Sequence, residues 1–120
     1  MRHWKLNEIE TPEGSRSPVV LHSLEGESRA VLIGLDPGQE LGEHQVKESA
    51  FLLVVDGRVR VETGEESIDA GPGELFRWDP DERHSVTADG RARLLLMLAP
   101  WPGEGHYRGQ EAPRTGATAS

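Results

Sequence analysis

The stretch Pro37-Gly38-Gln39-Glu40-Leu41-Gly42-Glu43-His44-Gln45-Val46-Lys47-Glu48-Ser49-Ala50-Phe51-Leu52-Leu53-Val54-Val55-Asp56-Gly57 decides the fold of this chain. It opens on a Pro-Gly turn, in which Pro presets its own φ and Gly accepts a positive one, and continues as a short strand to His44. A polar connection follows. Phe51 to Val55 is then apolar at every position, which predicts a strand covered on both faces. Beyond it Arg58-Val59-Arg60-Val61-Glu62-Thr63 alternates strictly, the pattern of a half-buried strand. Asp56-Gly57 between two such runs predicts a hairpin.

Working outward, the same punctuation recurs. Upstream, Arg29 to Leu35 is a β-rich run ended by Asp36-Pro37-Gly38, and Val19 to Leu24 is a shorter strand before the turn Glu25-Gly26-Glu27. Thr11 to Pro18 holds prolines and a glycine and reads as a loop, while residues 2–9 alternate loosely and are expected as an edge strand. Downstream, Ser67 to Ala70, Glu74 to Asp79, His84 to Ala88 and Arg91 to Ala99 are strands separated by turn signals, of which Asp89-Gly90 predicts a second hairpin. Short strands at short intervals, with no convincing helix, define an all-β, single-domain antiparallel β-barrel or jelly roll. The domain is expected to span residues 1–108, with 100–108 packing back through Trp101 and Tyr107. Residues 109–120 are small and polar and are expected as a mobile tail.

With 120 residues the chain suits one core, since two would each approach the size at which a core is hard to build. The absence of cysteine excludes a disulfide framework, a thiolate metal site and a cysteine nucleophile. The net charge of −8 is spread along the chain and disfavours a polyanionic partner. No basic stripe interleaved with aromatics is present, and Arg58 with Arg60, or Arg91 with Arg93, alternate with apolar residues as the wet face of a strand would. Nucleic acid is therefore not expected as a partner. Nor is a membrane, because the longest apolar run, Leu94 to Ala99, is far short of a span. The polar start Met1-Arg2-His3-Trp4-Lys5 lacks the apolar stretch of a secretory signal, so a cytoplasmic location is expected.

Glycines and histidines fall at spacings that carry a resemblance. Gly38, five residues, His44-Gln45-Val46, three residues, Ala50, six residues, Gly57 is one series, and Gly73, five residues, Asp79-Pro80-Asp81, two residues, His84, three residues, Ala88 is another. Over about residues 28–99 the chain thereby resembles the cupins, small antiparallel β-barrels marked by two motifs. Val46 stands at the first motif's second histidine and Ala50 at its glutamate, while Asp79, Asp81 and Ala88 stand at the second motif's Pro, Gly and Asn. In cupins with the full pattern, three histidines and a glutamate bind a divalent transition metal inside the barrel. Of these ligands the resemblance carries over only His44 and His84.

Period-2 alternation places His44 and Val46 on one face of their strand, and His84, Val86 and Ala88 on one face of theirs. In the cupin register both histidines point into the barrel, with Val46, Ala50 and Val86 lining a pocket and Arg77 reaching an anionic ligand. Phe51, Phe76 and Trp78 read as core or interface residues. Two imidazoles in an apolar pocket resist being charged together, so at least one pKa falls and neutral nitrogens remain to bind a metal or move a proton. Two histidines alone rarely hold a metal tightly; Glu48 shares the parity of His44 and is the candidate third ligand, with Asp79, Asp81 and His106 as others.

The leading expectation is a pocket that binds a small organic molecule, with no reaction assigned. The alternative is a divalent-metal-dependent oxygenase or isomerase using His44, His84 and a carboxylate. A metal-free isomerase or epimerase, with either histidine as proton carrier, and a structural module complete the set. A homodimer through sheet edges, as in cupins, is expected, with Trp4, Trp101 and Tyr107 at the contact.

Overall fold

A computed structural model describes residues 1–11, 18–44 and 48–101, with the side chains of 42–44 outside the description. Val46, His106, Tyr107 and the expected tail at 109–120 all lie outside the described residues. The strands are β1 (Val19–Leu24), β2 (Ser28–Leu35), β3 (Glu40–His44), β4 (Ser49–Asp56), β5 (Val59–Thr63), β6 (Glu66–Ala70), β7 (Leu75–Trp78), β8 (His84–Ala88) and β9 (Ala92–Ala99). One sheet has the order β1-β2-β9-β4-β7 and the other β3-β8-β5-β6, with every pair antiparallel. The pairings β2 with β9, β3 with β8, β4 with β7 and β5 with β6 nest inside one another. The chain is thus one long hairpin folded at the β5–β6 turn and rolled so that successive nested pairs fall in opposite sheets, which is a jelly roll.

This topology corrects the two expected Asp-Gly hairpins. β4 lies in one sheet and β5 in the other, and β8 and β9 are divided in the same way. An Asp-Gly pair reports a backbone that needs positive φ, here +83° at Gly57, and not which strand its neighbours will pair with. Both turns are crossovers between sheets, and they pack on each other: the Asp89 N–H donates to the Arg58 carbonyl at 3.0 Å. Among the described residues the hairpins are β1–β2 and β5–β6.

The expected edge strand over residues 2–9 does not form; that segment contains a 3₁₀ turn, Leu6–Glu8, and is held by arginines of β9 and the turn before it. Arg93 donates to the carbonyls of Leu6 at 3.1 Å, Asn7 at 3.3 Å and Ile9 at 2.5 Å. Arg91 donates to the Thr11 carbonyl at 3.2 Å, the Thr11 hydroxyl at 2.9 Å and Asp36 at 2.6 Å. Charged donors satisfy these backbone acceptors, so the segment needs no sheet partner. The same contacts correct the reading of this arginine pair as a wet strand face: the Arg93 side chain is only 13% exposed.

Alternate residues meet between the sheets. Val31, Ile33 and Leu35 of β2, Leu52 and Val54 of β4, Val59 and Val61 of β5 and Leu94 of β9 are buried in one apolar cluster. Each fully buried Leu or Val contributes about 1.5–3 kcal/mol. The other face of the five-stranded sheet is apolar too, with Leu32 fully buried and Phe51, Leu53 and Val55 half-buried, as the uninterrupted run Phe51 to Val55 predicts. Trp101 folds back into the core, its backbone N–H donating to the Glu27 carbonyl at 3.3 Å.

Candidate functional site

The β3–β8 pairing joins the two halves of the spacing pattern. Glu40 pairs with Thr87, Leu41 with Val86 and His44 with His84, so three steps along β3 match two along β8. This is a β-bulge. On a regular strand Leu41 and His44 would take opposite faces; the extra residue lets both positions stand against inward residues of β8. Positions directly opposite in an antiparallel pair share a face. The His44 side chain itself lies outside the description.

His84 opens β8 and is 4% exposed. Its ring lies parallel to the Trp78 indole, with centroids 3.8 Å apart and planes within 1° of each other. Phe76, two residues back on the same side of β7, continues the stack at 6.2 Å and 12° from Trp78. His84 Nδ1 lies 3.1 Å from the Glu82 carbonyl oxygen. A carbonyl can only accept, so Nδ1 carries the proton and, in the neutral ring, Nε2 carries the lone pair. Burial pushes the His84 pKa below its usual 6.5, against a weaker upward pull from the Glu82 carbonyl and the Glu82 charge. The result is a neutral imidazole with an accepting nitrogen beside an aromatic wall.

Ala50 explains why that wall fits. It pairs directly with Trp78 across β4 and β7, and both are buried, at 1% and 3% exposure. A methyl group at position 50 leaves the volume that the indole occupies. Val86, also buried, completes the expected inward set on β8. Sequence reasoning treated Trp78 as core and missed its contact with His84; its parity with Phe76, and the small residue at position 50, were the signals available.

Arg77 takes a different place from the one expected. Alternation along β7 turns Trp78 and Phe76 inward and Arg77 outward, where it donates to Ser49 Oγ at 2.9 Å and Asp79 Oδ1 at 2.5 Å and lies over the Phe51 ring. Its charge is spent on the outer face rather than in the interior. Glu48 is buried, 3% exposed, just ahead of β4. Asp79 is taken by Arg77, and Asp81 is exposed in the turn before β8 with φ of 68°. Among the described residues no three His, Asp or Glu side chains are grouped as metal ligands. A centre at His84 would therefore have to draw on side chains outside the description, His44 first.

Fold and interior together define a small jelly-roll β-barrel with a buried histidine at one end of β8. The chain belongs to the cupin family: the Cupin domain model matches residues 31–98. Among solved structures it is similar to a protein from Thermus thermophilus, at 24% identity over 85% of this chain and 100% of that one, with a TM-score of 0.73. It is also similar to a cupin superfamily protein from Desulfitobacterium hafniense (17% identity, 78% and 84% covered, TM-score 0.70). An RmlC-like cupin protein from Desulfovibrio desulfuricans compares at 20% identity, 83% and 96% covered, TM-score 0.70. These likenesses establish the fold alone. No curated protein matches the chain by sequence. No helix among the described residues is long and apolar enough to cross a membrane.

Proposed function

We propose that this cupin binds a small organic molecule at His84 and His44, with Ala50, Val86 and Val46 contributing apolar surface. The observation that carries the proposal is the state of His84: desolvated, neutral, stacked on Trp78, and bound through Nδ1 so that Nε2 is its accepting atom. A ligand that donates a hydrogen bond and presents a flat or apolar surface suits such a wall. Side-chain ¹⁵N spectra of the histidines, recorded while small organic acids, alcohols and amides are added, test it. Binding should shift His84 Nε2 and be lost in His84→Phe, which keeps a flat ring against Trp78. Ligands that bind His84→Phe as well as the parent would remove the support.

A metal-dependent oxygenase or isomerase is the second reading, favoured by the buried carboxyl of Glu48. His44, His84 and Glu48 would be the ligands, and the Glu82 carbonyl on His84 Nδ1 is the kind of outer contact that orients a ligating imidazole. A divalent ion held there supplies Lewis acidity. Elemental analysis of untagged protein decides between the readings, since less than roughly a tenth of a metal per chain leaves this one without support. Homodimerisation belongs to the same proposal; its support is the outer edge of β1, where Val20 and Leu24 are 51% and 50% exposed.

A further inference from the structure

We infer that the open flank between β6 and β7 is a second binding site, suited to a small organic cation with a flat apolar body. β6 ends the four-stranded sheet and β7 ends the five-stranded one. Ile68 pairs with Val61, and Glu66 with Thr63. Val61 is buried in the core, so Ile68 and Glu66 occupy positions on the inward side of β6. Yet Ile68 is 41% exposed. An inward apolar residue stays this exposed only where the opposing sheet does not cover it, and the gap is a cleft of about 130 Å³.

The half-buried Phe76 and the buried Trp78, stacked on each other, line the gap from β7, and Val61 lines it from β5. A closed apolar cavity of ~150 Å³ takes up benzene, so this slightly smaller cleft, open to solvent, can seat most of one aromatic ring and leave its substituent outside. Glu66 and Glu82 lie at its border, with Glu82 Oε1 also accepting from the Asp79 N–H at 3.0 Å. Arg77 is there too, but its guanidinium is paired with Asp79. Two carboxylates and the half-buried Phe76 ring favour a cation, and a flat body against Phe76 and Ile68 would remove apolar surface from water. An anion would meet the same groups as repulsion. The cleft shares Trp78 with the His84 site and requires neither histidine.

Benzylammonium, benzyl alcohol and benzoate, titrated separately into the ¹⁵N-labelled full chain at neutral pH, test the assignment. Benzylammonium should give saturable shifts at the Trp78 indole and at the amides of Val61, Ile68 and Phe76, benzyl alcohol should bind more weakly, and benzoate should leave these signals in place. The double substitution Glu66→Gln and Glu82→Gln should weaken benzylammonium roughly three- to tenfold, as expected for two solvent-exposed ion pairs. Ile68→Lys, at an exposed position, should abolish binding while leaving the fold's spectrum intact. Benzoate or benzyl alcohol binding as tightly as benzylammonium, an unchanged affinity in the double variant, or no shift at these residues with any probe up to ~10 mM (about 2.7 kcal/mol of binding) would overturn it.

Discussion

Replacing Gly57 with alanine should destabilise the barrel by about 2–5 kcal/mol, whereas the same change at Gly38 should cost about 1–2 kcal/mol. Both glycines sit at motif spacings and both have φ of +83°. A non-glycine residue in that region costs about 1–2 kcal/mol at either place. The surroundings separate them. A Cβ at Gly38 meets nothing within 4 Å, while one at Gly57 would overlap the Arg91 carbonyl oxygen and come within 2.7 Å of Ala92 Cα and 3.0 Å of Ala92 Cβ. These belong to the connection that begins β9, so relief requires the two crossovers to move apart; overpacking of this kind costs about 1–3 kcal/mol more. Urea denaturation of both variants and the parent measures the difference. At about 4 °C per kcal/mol for a domain of this size, Gly57→Ala should melt roughly 8–20 °C below the parent. Equal losses in the two variants would refute the packed-crossover account.

Burial lowers the His84 pKa, so the unfolded chain, with a value near 6.5, takes up more protons as pH falls. The contribution of neutral His84 to stability is complete above about pH 6.5 and is lost as pH falls through and below it. Urea denaturation at about pH 7.5 and 5.5 should therefore show a smaller acid loss in His84→Phe than in the parent; equal losses would contradict the shift. Arg93→Ala removes donors to the carbonyls of Leu6, Asn7 and Ile9 and should cost about 1–3 kcal/mol, with faster proteolysis in residues 1–11, while Arg60→Ala, at an exposed pair with Asp69, should leave the urea midpoint unchanged. Sedimentation of the parent should give a dimer and of Val20→Lys with Leu24→Lys a monomer; a monomeric parent would refute the edge contact.

Strand positions were legible because burial imposes period 2 on the sequence, and β1 and β8 fall where alternation and turn residues place them. Partner choice was not legible, since Asp56-Gly57 and Asp89-Gly90 encode the backbone of a turn and carry no information on which sheet the next strand joins. The bulge in β3 was equally silent: it depends on the register against β8, forty residues away in sequence for the His44–His84 pair. Arg91 and Arg93 alternate like wet residues because alternation reports a face, not what lies on it, and here the N-terminal segment lies on it. His84 was legible through spacing. Its environment was not, because the stack on Trp78 depends on the β4–β7 register as well.

The motif positions that survive and those that do not answer to different constraints. Gly38, Gly57 and Gly73 all have positive φ at connections between the sheets, so the roll of the chain needs them whatever the interior does. The side-chain positions answer only to the interior, and fold and site chemistry can part company there. Ala50 stands where the family's full pattern has a glutamate, and Trp78 is its direct partner on the next strand. A carboxylate at position 50 would be buried against an indole, with the desolvation cost that follows; a methyl group instead admits the indole, which then covers one face of His84. Ala50 and Trp78 therefore act as a coupled pair, and enlarging the first should disturb the second: Ala50→Leu should cost about 1–3 kcal/mol through overpacking and move the His84 ring signals, while Ala50→Gly should leave the stack in place. Unmoved His84 signals in Ala50→Leu would mean that the indole is not what sets the histidine's environment.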